Sequence, residues 1–458
     1  MNARWIAVST LFSAAVITLF AFADGPAGDA ALGAYSYDDF EPKEVCSECH
    51  TLIARQYDQA MMSQSFTHHW DEIEYFDLAL PHALKVEKVA GVKAGCNGCH
   101  APLAFLAGDI PPKRPAEGTR ANEGVSCDLC HSIVGFEGEV PFNFNFVVEP
   151  GDVQQGVRAG TESPGHEIAV NPFLMSAEFC GTCHNEKDPW GLWVKATHLE
   201  WQESPQAKAG IVCQDCHMPP AAGNSAPEAG GADHPDIRQH LFHGAHDNGK
   251  LAGAVEVRIY ADAYDAKVGG EASFTTTVVN AKAAHMIPSG SAEERLLWLD
   301  VTAVDSSGRT YHLPVDRKGF EGEDLTIASA TALAYQDIGD IQGLEGFKGL
   351  LRDTPVPAGD RIFRLPYLDP EGRMTVAQWN TAAFGPDYRL APLAAVNETY
   401  SWTLPKDVAP GEVTVTATVW YAKIVASVAE FLKVPAEEAV PVKMSEHSAT
   451  IDVAPHAS

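Results

Sequence analysis

Basic side chains are scarce in this 458-residue chain: 32 lysines and arginines stand against 61 aspartates and glutamates, for a formal charge of −29. A surface that negative repels phosphate backbones, which excludes a nucleic-acid partner. Beyond residue 23 no run is apolar enough to cross a membrane. Cysteine is missing from the whole stretch after Cys216 and from the first 45 residues. There is no coiled-coil heptad pattern and no internal repeat apart from one cysteine motif. With 45% hydrophobic and 20% charged residues, disorder is excluded as well. The length suits two or three domains and a large core.

The N-terminus reads as an export signal over residues 1–23. Arg4 supplies a short positive start, Trp5 to Phe22 is apolar, and Ala21-Phe22-Ala23 places small residues before a cut at Asp24. A single membrane anchor is the rival reading, since about 18 apolar residues can span a bilayer. The small-residue pattern and the acidic, Gly/Ala-rich stretch Asp24 to Gly33 favour cleavage. No cysteine near the cut offers a lipid anchor. The expected mature protein is periplasmic or extracellular, with no membrane span left.

All ten cysteines fall into five C-x-x-C pairs, each followed by histidine: Cys46, Cys49 and His50; Cys96, Cys99 and His100; Cys127, Cys130 and His131; Cys180, Cys183 and His184; Cys213, Cys216 and His217. C-x-x-C-H is the attachment sequence of c-type haem: the thiols add to the vinyl groups and the histidine becomes the proximal iron ligand. Zinc ribbons use two knuckles per metal and would leave one over. A thioredoxin-like pair explains one motif, not five. A disulfide scaffold does not explain the uniform spacing. With 18 histidines in the chain, five trailing histidines by chance have odds on the order of one in ten million. Five covalently bound haem c groups are expected.

Candidates for the sixth ligands follow from position. His240, His243 and His246 cluster after the last motif. His166 lies in Ser-Pro-Gly-His before Cys180, and His285 ends a strand-like run. Met62 and His68 compete on the segment after the first motif, where methionine would raise a haem potential relative to histidine. His82 and His198 are weaker candidates; His312, His447 and His456 read as surface. A haem with both axial positions filled passes electrons but cannot bind substrate, so these choices decide between carrier and enzyme.

Two rhythms divide the chain. Residues 24–250 show little periodicity. Short helical pieces over Glu48–Ser65, Tyr75–Ala90 and Pro189–Glu203 are separated by Gly/Pro-rich loops, as expected where haems form the core. Residues 218–239 read as a returning loop. Residues 251–458 alternate instead: Val255 to Tyr260, Ser273 to Val279, Leu296 to Val304 and Val413 to Tyr421 read as strands with one buried face. Asp305 to Gly308 and Asp369 to Gly372 are turn signals. The predicted fold is α+β: a five-haem domain of short helices and loops, then an all-β, sandwich-like domain with long insertions between Lys318 and Thr399.

These residues also carry a resemblance. Glu123-Gly-Val-Ser-Cys-Asp-Leu-Cys-His131, Ser176-Ala-Glu-Phe-Cys-Gly-Thr-Cys-His184, Gly210-Ile-Val-Cys-Gln-Asp-Cys-His-Met-Pro219 and the His240-x-Phe-x-Gly-x-His246 run resemble multihaem c-type cytochromes, of the superfamily that includes the tetrahaem electron acceptor of hydroxylamine oxidation. Asn280 to Gly290 is similar to a segment opening the β domain in some of these, and the resemblance implies that His285 reaches back to ligate a haem. Relatives carry histidine where Met62 stands here. The resemblance implies electron transfer or assembly into cytochrome filaments, and the negative surface implies redox partners with basic faces. An enzyme acting on a small nitrogen or sulfur compound at one five-coordinate haem is the alternative. No haem motif carries a lysine in place of its histidine.

Overall fold

The computed structural model describes residues 28–160, 162–317 and 324–455; the expected signal, residues 1–23, and His456 lie outside the described residues. Up to residue 250 the chain is short helices, turns and two-stranded ribbons. The first motif sits on Lys43–Ser47 and leads into helix Thr51–Asp58. The second occupies Val92–His100, the third Cys127–Ser132, the fourth Ala177–His184 and the fifth Cys213–His217. Two of these helices are capped by serine: Ser126 Oγ accepts from Leu129 N and Ser176 Oγ from Phe179 N, supplying an acceptor for otherwise orphan amides.

Two expected elements differ. Pro189–Glu203 is only half helical: Trp193–Ala196 pairs with Asn185–Lys187 as a ribbon, and the helix runs Thr197–Gln202. The presumed loop 218–239 is a hairpin of Pro220–Asn224 with Asp233–Arg238. The second stretch is rich in Gly and Pro, which mask a ladder formed by backbone groups alone.

The C-terminal part is β-rich, as the alternation requires. Ala395–Thr403, Glu271–Asn280 and Val255–Ala261 form one antiparallel sheet. Facing it, Asp265–Lys267, Val442–Ala454, Gly411–Ala422, Leu296–Val304 and Thr310–His312 lie in that order, with Arg361–Phe363 also paired to Leu296–Val304. Val255, Val257, Ile259, Phe274 and Val278 from one sheet meet Leu297, Leu299, Val301, Val413 and Val415 from the other in a shared core. The insertion between the sheets' strands folds as short ribbons and helix Gln336–Gln342. It forms a second core with Trp298, Trp379 and Val425 into which Trp70, Tyr75 and Leu78 of the N-terminal part also pack. The two halves are thus joined by apolar burial. Among the described residues no helix is long and apolar enough to cross a membrane.

The insertion is pinned by a buried ion triad. The Asp353 carboxylate accepts from Arg352 Nε at 2.9 Å and Nη2 at 2.7 Å, from Arg364 Nη2, and from Ser329 N at 2.8 Å. All three charged side chains are at most 2% exposed. Asp353→Ala leaves two guanidinium groups buried without their anion, and is expected to cost about 3–5 kcal/mol. Denaturant titration of the haem-loaded protein checks this.

Candidate haem sites

The ten cysteines form no disulfide, and none is fully buried, although cysteine is among the most buried residue types. Each keeps an accessible surface, and Cys96 lines a cavity. His184 shows the same thing: burial pulls its pKa down to about 4, yet its ring keeps an accessible surface. Glycines inside two motifs are required by packing. A Cβ on Gly98 would lie 2.3 Å from the Phe144 ring, and one on Gly181 would lie 2.8 Å from His198 and Pro141.

Three proximal histidines face another histidine across a gap. His50 faces His166 with ring centroids 6.3 Å apart, His131 faces His240 at 6.3 Å, and His217 faces His285 at 6.5 Å. The rings are inclined by 31°, 21° and 19°, so they are neither in contact nor edge-on. Such a gap holds one metal ion and its two imidazole bonds of about 2 Å each. Each pair comes from distant parts of the chain, and His285 comes from the β domain.

The outward nitrogen of each ring is tied to a main-chain carbonyl. His50 Nδ1 lies 2.8 Å from Ser225 O, His131 Nδ1 2.7 Å from Gln155 O, and His217 Nδ1 2.7 Å from His243 O. Opposite them, His166 Nδ1 is 3.0 Å from Glu167 O, His240 Nδ1 3.0 Å from Arg238 O, and His285 Nδ1 2.8 Å from Met286 O. A carbonyl only accepts, so Nδ1 carries the proton and donates, leaving the Nε2 lone pair for a metal. Burial also lowers the pKa of His217 and His240 to about 4, which keeps them neutral and able to ligate. These six side chains fit bis-histidine haem c.

The loop that delivers His285 is held from both sides. Asn280, fully buried, donates from Nδ2 to His285 O at 2.9 Å and accepts from Ala283 N at 3.0 Å. Glu200 Oε2 accepts from Ser289 Oγ at 2.6 Å and Met286 N at 3.2 Å, while Arg389 Nη1 donates to its other oxygen at 2.6 Å.

His100 and His184 face no other histidine ring among the described residues. His100 shares its Nδ1–H between Ser65 O at 2.9 Å and Asp71 Oδ1 at 3.1 Å. Burial alone would lower its pKa, but Asp71 raises it to about 9. A carboxylate on the outer nitrogen increases the basicity of the ligating one. His100 and Cys96 share a cavity with Glu74, Tyr75 and Gln378. Burial pushes the Glu74 carboxyl up to about 7 and that of Glu293 up to about 8. Lys195 stands among these acids, 2.9 Å from Glu186 and bonded to Gln378.

Four of the candidates for sixth ligand, His68, His246, Met62 and His243, face no proximal histidine ring among the described residues. His68 and His246 meet each other edge-on at 5.1 Å, with His68 Nε2 3.3 Å and His246 Nδ1 3.9 Å from the Glu438 carboxylate. Glu438 is also bound by Lys423 at 2.6 Å. Met62 lies in the turn Met61–Gln64, its carbonyl accepting from Val125 N, and His166 takes the place opposite His50. Nearness in sequence to a motif reports nothing of which way a ring points. His243 contributes its carbonyl rather than its ring.

The motifs touch one another. Cys46 and Cys127, Cys99 and Cys183, and Cys180 and Cys213 are close enough to perturb each other's thiols, and Cys130 feels Cys183. The first site therefore adjoins the third, the third the fourth, and the fourth both the second and the fifth.

The five attachment motifs stand in a region of short helices and ribbons that a β-rich domain follows, and three of their histidines face another histidine ring. The profile of the family described as cytochrome c554 and c-prime matches residues 45–132. The chain shares its fold with the penta-haem cytochrome c552 from Thermochromatium tepidum, at 20% identity and a TM-score of 0.61, over 90% of this chain and 99% of that one. Spo0M, the sporulation control protein from Bacillus subtilis, aligns over 44% of this chain and 51% of its own at 11% identity, with a TM-score of 0.18 too low to carry an argument. No curated protein matches the sequence.

Proposed function

We propose that this chain is an exported five-haem c-type cytochrome that carries electrons between redox partners. The carrying observation is the trio of facing histidine pairs set along contiguous attachment motifs. The haem irons, when bound, supply the reversible ferric–ferrous couple. The protein's own residues would hold them: the ten motif thiols would anchor the macrocycles, and the pairs His50–His166, His131–His240 and His217–His285 would hold the first, third and fifth irons. Carbonyl-anchored Nδ1 atoms fix each ring, so that little reorganises when charge moves. The contacts between motifs give a path in the order first, third, fourth, fifth, with the second branching from the fourth. The acidic surface selects partners with basic faces and makes association fall with rising salt. The site of action is the periplasm or the cell exterior. The test is purification from a host that attaches haem c, followed by mass and stopped-flow measurement. A mass increase of five haems and a salt-sensitive rate with the native partner are expected; a colourless protein at bare polypeptide mass overturns the reading.

A second reading rests on the surroundings of His100 and His184. With no histidine opposite them, and with Glu74, Glu293 and Lys195 nearby as proton-handling groups, an open iron would accept a small nitrogen or sulfur compound. Carbon monoxide separates the two readings. One or two molecules bound per reduced chain, with a matching high-spin ferric signal, support an open iron; none bound supports a pure carrier.

A further inference from the structure

Outside the haem sites, the β domain builds a second cluster of metal-ligating side chains. One edge of strand Leu296–Val304 is shared end to end by two short strands: Thr310–His312 pairs with its far end at Thr302, and Arg361–Phe363 with its near end at Leu299. Asp300 sits at the junction. Its neighbours Leu299 and Val301 point into the sandwich core, so its own side chain takes the other face. There it meets His312, the last residue of one short strand, and Asp360, the residue before the other. One ligand atom from each of Asp300, His312 and Asp360 lies within 4.8 Å of the others.

Two oxygens in this cluster have nothing to bind. Asp300 Oδ1 and Asp360 Oδ2 are both buried without a hydrogen-bond partner, and Asp360 is only 1% exposed. The other Asp360 oxygen is 2.5 Å from His312 Nε2. Arg361, next in sequence, turns to Glu398 at 2.7 Å, which leaves His312 as the one basic side chain in the cluster. Unpaired carboxylate oxygens held side by side away from water cost free energy unless a cation or proton joins them. The His312 side chain is 33% exposed, so the cluster opens to solvent on that side.

We propose that Asp300, His312 and Asp360 bind a zinc-class divalent transition-metal ion, completing its coordination with solvent at the His312 side. One imidazole and two carboxylates match the nitrogen and oxygen ligands that zinc accepts, with three protein ligands and an open position. Calcium needs six to eight oxygens and is poorly served by this set. The bound ion joins the two short strands to strand Leu296–Val304 at the point where their ladders break.

Haem-loaded protein is stripped with a chelator and titrated calorimetrically with zinc chloride and, separately, calcium chloride. One zinc per chain at micromolar affinity or tighter is expected, with a zinc-edge anomalous peak between the three side chains in a crystal. His312→Gln, at the open rim, and Asp360→Asn are each expected to weaken binding by more than about tenfold. Zinc is expected to raise the melting temperature of the parent but not of Asp300→Asn. Glu438→Gln, which dismantles the other His–carboxylate cluster, leaves the affinity unchanged. The proposal is overturned if no zinc heat appears, if binding survives His312→Gln, if Glu438→Gln abolishes it, or if calcium binds these residues more tightly than zinc.

Discussion

Made in a cell that lacks haem attachment outside the cytoplasm, the chain is expected to fold only in its C-terminal half. The sandwich core is drawn from Leu251 to Val453 and needs nothing from the haem region. Between residues 28 and 250 the apolar clusters are small: one around Phe105, Leu106, Phe146 and Phe173, another of Phe66 with three alanines. Fixing a residue costs about 1–2 kcal/mol of conformational entropy, and clusters of this size do not offset that over more than 200 residues. The haems of the proposed reading would supply the missing burial, against the accessible cysteines and His184. Limited proteolysis should remove the N-terminal half and leave a fragment beginning near residue 250. That fragment should melt below the holoprotein, because Trp70, Tyr75 and Leu78 no longer cover the second core. Uniform protection of the whole apoprotein would show that polypeptide alone makes the N-terminal core.

What could be read from the sequence follows from the range of each signal. Strands such as Val255–Ala261 alternate residue by residue, and they sit where that alternation puts them. The five motifs are local, so they are legible without a fold. A facing ligand is a long-range property. His166 and His285 stand opposite His50 and His217, the second suggested by the words around it and not by spacing. His68 and His246 look equally good in sequence, but their rings turn to Glu438, which lies in the β domain some 190 residues away from the nearer of them. Asp300, His312 and Asp360 carry no sequence signal. Only the register of three strands unites them. The hollow shared by His100, Cys96 and Glu74 carries no sequence signal either, since Glu74 belongs to no motif.

His285→Ala should convert one low-spin haem into a high-spin one without unfolding the protein. His285 is the ring opposite His217, and its loop is held by Asn280, Glu200 and Arg389 through contacts that the substitution leaves in place. The expected results are one new high-spin ferric signal by electron paramagnetic resonance and one additional carbon monoxide per reduced chain. Losing an imidazole donor also raises the potential of that site, because axial-ligand identity is a principal lever on haem potential. Added free imidazole should restore the low-spin spectrum by filling the vacated position. His243→Ala is the control: its carbonyl, 2.7 Å from His217 Nδ1, survives the change, so the spin state should not move. A domain contact without ligation predicts the reverse pattern, with His285→Ala altering melting temperature but neither spin state nor gas binding. Such an outcome would detach the β domain from the electron path and leave it a docking element alone.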